Sequence, residues 1–163
     1  MAEWTNRLNE LGIELPAVAA PVAAYVPATK VGNQVWTSGQ LPFVDGALPS
    51  TGKVGLGEGL VAPELAQQLA ATCVLNALAA IKGQIGDLDR ITRVVKLVGF
   101  VSSDPSFTEQ PGVINGASDL LGELLGQAGV HARSAVGVAV LPKDSPVELE
   151  LVVEISASLA PTA

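Results

Sequence analysis

Between Val147 and Ile155 apolar and acidic side chains alternate with a period of two, broken only by Val152. Val147, Leu149, Leu151, Val153 and Ile155 fall on one side, with Glu148, Glu150 and Glu154 on the other. That period belongs to a strand, and no helix can satisfy it. The chain must therefore build a sheet with one covered face, and the cover must come from elsewhere in the sequence.

Two segments can supply it. Pro63 suits the first turn of a helix. From there Leu65, Leu69, Cys73, Val74, Leu78, Ile81 and Ile85 make a broad apolar stripe that ends at Gly86. A second helix is expected over 109–128. Gly112, Gly116, Gly122 and Gly126 weaken it, because each costs up to about 1 kcal/mol against alanine.

The remaining segments read as strands and turns. Ile91–Val101 is β-branched and apolar on both faces, as a central strand requires. Tyr25–Val31 and Gln34–Ser38 flank Gly32-Asn33, a two-residue turn, and predict a β-hairpin. Ser134–Leu141 alternates Val136, Val138 and Val140 with small residues, and Pro142–Pro146 links it to Val147–Ile155 as a second expected hairpin. Trp4, Leu8 and Leu11 predict a short helix over 2–11, stopped by Gly12. Leu15–Ala28 is apolar, but Pro16, Pro21 and Pro27 make it extended or edge-strand chain and exclude a membrane helix. Residues 42–62 read as a long loop. The order is ββαβαββ, an α+β fold with a single sheet and two packed helices, plus the short N-terminal helix.

Composition bounds the rest. A length of 163 residues suits one domain, 1–163, with 1–16 as an N-terminal helical extension and 156–163 as a tail. Hydrophobic residues at 48% make a core easy to build, whereas 15% charged residues are few for covering a monomer, which favours an oligomer. Nine basic against 16 acidic side chains give a net charge of −7, which argues against nucleic acid as a partner. A single cysteine and a single histidine exclude an internal disulfide, a Cys-rich zinc site and any two-His metal motif. The start lacks a basic region followed by an apolar core, so a cytoplasmic location is expected.

Few residues are left to carry chemistry. The glycines at 52, 55, 57 and 59 lack the preceding strand and following helix of a phosphate loop, and read as a flexible loop. Cys73 lies on an apolar helix face and reads as core filler. Ser38 has no Gly-x-Ser-x-Gly context, which argues against a serine triad. His131 has no partner legible in the sequence and reads as a surface or loop histidine, since a base needs a positioned neighbour. Arg133 stands among small apolar neighbours and must find an anion, either a structural carboxylate or a bound ligand. Its planar fork would suit the carboxylate of a small organic acid. Glu148 shares its alternation with Glu150 and Glu154 and reads first as part of a solvated strand face.

Taken in order, two segments carry a resemblance. Val35-Trp36-Thr37-Ser38-Gly39-Gln40-Leu41-Pro42 resembles the Thr-Ser-Gly-Gln-[Ile/Leu]-Pro signature of the Rid family, the reactive-intermediate imine deaminases long called YjgF-like. Ala132-Arg133-Ser134, then Leu141-Pro142-Lys143-Asp144 and Val147-Glu148-Leu149-Glu150, resembles that family's C-terminal signature, with Arg133 to Glu148 at matching spacing. The resemblance runs from about Tyr25 to Ile155. It implies a chorismate-mutase-like α+β fold, a homotrimer with ligand clefts between subunits, and no metal or organic cofactor.

It further implies that Arg133 grips a substrate carboxylate and Glu148 activates water. Ser38 and Gly39 would line the pocket, Tyr25 would close one side, and Ala135 and Asn115 would contribute to binding. The implied reaction is hydrolysis of imines or enamines derived from amino acids to 2-oxo acids and ammonia. A non-catalytic module sensing small carboxylates in the same clefts is the alternative. Ala135 stands where such enzymes often have cysteine, and Gly137 where they often have an acid, which marks a longer, divergent branch.

If 134–141 and 147–155 pair as a hairpin, Glu148 faces Val140. Arg133 is then on the order of 20 Å away along the strand. In that register one chain's Arg133 and Glu148 meet a small ligand only across a subunit boundary.

Overall fold

The computed structural model describes residues 4–18 and 24–157. The first element, α1, spans Trp4–Glu10. It belongs to the core: Trp4 is fully buried, donates Nε1–H to the Ile91 carbonyl at 3.3 Å, and Leu8 is buried beside it. Residues 13–18 and 24–27 form no strand, so the extended edge expected over 15–28 is irregular chain where it is described; 19–23 lie outside the described residues.

Strands β1 (Ala28–Val31) and β2 (Gln34–Thr37) form the expected hairpin around residues 32–33. Helix α2 spans Pro63–Ile85, with Leu69, Cys73, Val74, Ala77, Leu78 and Ile81 buried. By length and composition α2 could cross a membrane, yet it is largely buried against the sheet and α3. Strand β3 runs Ile91–Ser102 and helix α3 runs Gln110–Leu125. The glycines inside α3 are explained by packing at one point. A Cβ on Gly116 would lie 2.0 Å from the Gln67 carbonyl oxygen, so only glycine lets α3 approach α2 this closely.

Strands β4 (Ala132–Val138) and β5 (Val147–Ile155) complete a five-stranded mixed sheet of order β1-β2-β5-β3-β4. The expected β4–β5 hairpin does not form. β5 pairs antiparallel with both β2 and β3, while β4 pairs parallel with β3 and occupies the edge. Alternation dictates which face of a strand is covered and leaves its neighbours open. β3, apolar on both faces, has a partner on each side. The chain from 139 to 146 passes the end of β3, where Ser102 N–H donates to the Pro146 carbonyl at 2.9 Å. β4 stops at Val138 rather than Leu141. Pro142 then begins a single turn, and Lys143 and Asp144 take positive φ of 56° and 57°.

Both long helices lie on one sheet face, over Val35, Leu97, Val101, Leu149 and Leu151, all essentially buried. The other face presents Trp36, Lys96, Val98, Phe100, Val136, Glu148 and Glu150, and no helix among the described residues covers it.

Candidate active site

Arg133 lies on edge strand β4 opposite Leu97, on the helix-covered side. Its Nη1 donates to Asn115 Oδ1 at 2.8 Å and to Ser118 Oγ at 3.1 Å, both on α3. These partners are neutral, and among the described residues no carboxylate pairs with this guanidinium. Of the two anions open to Arg133 on sequence grounds, the structural carboxylate is therefore absent from the described chain. Ala135, two residues on and on the same side, packs against the core beside Arg133.

His131 lies in the loop just before β4, as expected, but it is half-buried and has the partners the sequence does not show: Nδ1 lies 2.6 Å from the Gly129 carbonyl and Nε2 lies 3.1 Å from Ser118 Oγ. Ser118 was not singled out from the sequence. The available signal was that 131 and 133 stand two residues apart at the entry to a strand, so that one polar α3 residue could reach both.

Glu148 lies on β5 opposite Phe100, on the face without helices. Loop residues 38–40 follow β2 and run against it. Gln40 exchanges both backbone hydrogen bonds with Leu149, at 2.8 and 3.1 Å. This lays Gly39 directly over Glu148, where a Cβ would come within 1.8 Å of Oε1. No other residue leaves the carboxylate where it is. Ser38 donates Oγ–H to the Val26 carbonyl at 2.6 Å and N–H to the Pro27 carbonyl at 2.8 Å, which ties it to the segment of Tyr25, itself 52% exposed.

Burial lifts the proton affinity of Glu148 above the ordinary glutamate value of 4.5, with nearby Glu150 adding to it. Glu154, by contrast, accepts hydrogen bonds from Asn33 Nδ2 at 2.9 Å and Thr92 Oγ1 at 3.4 Å. The three glutamates of the alternation are thus not equivalent. Cys73 is fully buried, and burial raises its thiol far from reactivity, with Glu148 adding to the effect, as core filler requires.

The candidate residues therefore fall into two groups. Arg133, Asn115 and Ala135 assemble at the β4 edge under α3. Glu148, Gly39, Ser38 and the Tyr25 segment assemble around β5. The register separates Arg133 from Glu148 by about 10 Å along the strands and about 10 Å across them, on opposite faces. The hairpin register behind the expected separation is wrong, yet the consequence persists: one chain cannot bring both side chains to one small molecule.

Comparison with known proteins gives this arrangement its relatives. The family model described as "YjgF/chorismate_mutase-like, putative endoribonuclease" matches residues 5–155. The chain is 48% identical over 150 residues to Protein TCP17 of Trypanosoma cruzi, covering 91% of this chain and 92% of that protein. It is 29% identical over 143 residues to a 2-iminobutanoate/2-iminopropanoate deaminase of Dermatophagoides farinae, covering 88% and 94%. Among solved structures, Atu1372 of Agrobacterium tumefaciens, a protein of unknown function, superposes with a TM-score of 0.84 at 47% identity, covering 94% and 92%. With its fold, its two signatures and a family match spanning α1 to β5, the chain belongs to the YjgF/Rid family.

Proposed function

We propose that the protein hydrolyses small imines or enamines derived from amino acids, releasing ammonia and a 2-oxo acid. The observation that carries this reading is a guanidinium held by neutral groups, with no carboxylate partner among the described residues. An arginine so placed is set to take an anion from solution, and its fork fits a carboxylate. The likeness to an iminobutanoate/iminopropanoate deaminase names a compatible substrate class.

The chemistry asks little of the protein. An imine carbon is electrophilic, and more so when its nitrogen is protonated. Water must be aimed at that carbon and must lose a proton as it adds. Glu148, with its raised proton affinity, suits that proton, and general base help of this kind contributes about 10²–10⁴-fold. Arg133, by fixing the carboxylate, sets the distance from carbon to water. Expulsion of ammonia from the resulting carbinolamine leaves the 2-oxo acid. Neither Arg133 nor Glu148 chemistry calls for a metal or organic cofactor.

Because Arg133 and Glu148 lie on opposite faces, a complete site needs Arg133 of one copy and Glu148 of another. The uncovered sheet face, with Trp36 at 49% and Val136 at 45% exposure, is the surface for such an assembly, and a homotrimer is proposed. Light scattering should give three times the 16.6 kDa of one chain. A single chain's mass at micromolar concentration would rule the shared site out. Activity is tested by adding the purified protein to enzymatically generated 2-aminoacrylate: ammonia should appear faster than in buffer. Tight binding of 2-oxobutanoate without accelerated release would instead identify a carboxylate sensor.

A further inference from the structure

We propose that Ser118 and His131 are positioning residues that turn Arg133 into a fixed carboxylate fork. The inference rests on the carboxylate-binding reading of Arg133. Its starting point is the direction of each hydrogen bond. The Gly129 carbonyl can only accept, so His131 Nδ1, at 2.6 Å, carries a hydrogen and donates. With the ring neutral, Nε2 then holds the lone pair and accepts the hydroxyl hydrogen of Ser118 at 3.1 Å. That leaves the Ser118 oxygen facing Arg133 as an acceptor, and Nη1 donates to it at 3.1 Å. The chain of bonds runs one way, from Arg133 through Ser118 and His131 to backbone, and no member lacks a donor or acceptor where it needs one.

The geometry has a consequence for the ligand. Nη1 is spoken for by Ser118 and Asn115, while Nε and Nη2 have no partner among the described residues. The Nε–Nη2 edge offers two parallel N–H groups, the arrangement that takes both oxygens of one carboxylate. Arg133, Ser118 and His131, with Gly122, Gly129 and Val130, also line an open depression of about 300 Å³. That volume has room for a small acid, and Val130 and the two glycines suit an aliphatic body rather than a second charge. A free arginine would sample many rotamers and give up that freedom on binding; one held in advance gives up less.

The measurement is calorimetric titration of 2-oxobutanoate into the wild type and the variants Ser118→Ala, Ser118→Thr, His131→Ala and Arg133→Ala, with a melting curve for each. Ser118→Ala should weaken binding about tenfold and His131→Ala several-fold, both with melting temperatures close to wild type. Ser118→Thr keeps the hydroxyl and should restore binding to within about twofold. In the hydrolysis assay KM should rise in Ser118→Ala with kcat nearly unchanged, because Glu148 is untouched. Wild-type affinity in Ser118→Ala, alongside lost binding in Arg133→Ala, would overturn the positioning role and leave the carboxylate reading intact. Equal losses in Ser118→Ala and Ser118→Thr, accompanied by lower melting temperatures, would also overturn it. Unchanged binding in Arg133→Ala would sink the carboxylate reading itself.

Discussion

The two halves of the candidate site are built by opposite means. The Arg133 half sits on an edge strand, and side chains hold it: Asn115, Ser118 and His131 converge from α3 and the turn before β4. The Glu148 half sits on a central strand, and backbone holds it: Gln40 locks onto Leu149, and Gly39 is pressed against the carboxylate. The first arrangement leaves a charge that polar neighbours orient without neutralising. The second withholds solvent from a charge and so raises its proton affinity. A binding group gains from the former and a base from the latter.

The comparison breaks most readily at Glu148. Glu148→Gln should slow imine hydrolysis by about 10²-fold or more while 2-oxobutanoate still binds, as read by ammonia release and calorimetry. Glu150→Gln and Glu154→Gln share its strand face and should change stability by no more than about 0.5 kcal/mol, with rates near wild type. Equal rates in all three variants would return Glu148 to an ordinary strand face. Arg133→Ala should affect the other half only, weakening acid binding by about 2–3 kcal/mol as expected for a lost charged hydrogen-bonded pair, with the fold retained.

Smaller changes sharpen the contrast. Gly39→Ala forces the Glu148 carboxylate aside and should lower the rate about tenfold without altering acid affinity. In a Glu148→Ala background the same substitution should cost little stability, because residues in contact couple and the contact is gone. The pH dependence is the finest test. The folded protein holds the Glu148 proton to higher pH than the unfolded chain does. Ionising it therefore subtracts stability as pH rises through its raised value, and the base form is lost as pH falls through it. The acid limb of the rate profile should lie above 4.5, and the melting temperature of wild type should fall relative to Glu148→Gln as pH rises above that ordinary value.

Much of the architecture was legible in the sequence because periodicity reports burial. The alternation of β5, the double-faced apolarity of β3, the stripe of α2 from Leu69 onward and the Gly32-Asn33 turn stand in the structure, whereas Leu65 at the start of that stripe is exposed. The misread β4–β5 pairing has a plain cause: a short link between two alternating segments favours a hairpin, and nothing local tells β5 to enter between β2 and β3. Arg133 stood out by its chemistry and Glu148 by its place in a signature. Ser118 did not, because a serine on a helix acquires meaning only when α3 docks and sets it between His131 and Arg133. The fully buried Trp4 likewise makes the N-terminal helix part of the core, which an extension read from spacing alone does not convey.

The position of β5 bears on how the protein is made. On the ribosome, β1–β2 and β3–β4 can pair as soon as each has emerged. They share no ladder with one another until β5 arrives, because its residues bridge Gln34–Trp36 on one side and Ile91–Val101 on the other. Between the emergence of β4 and that of β5 the chain therefore carries two small sheets with open edges on β2 and β3, the state in which unpaired strands meet wrong partners. Closure joins residues far apart in sequence, a slow kind of contact to form. A chain stopped before Val147 would lose the seam of its sheet, and an early stop there should yield insoluble product rather than a trimmed but folded domain.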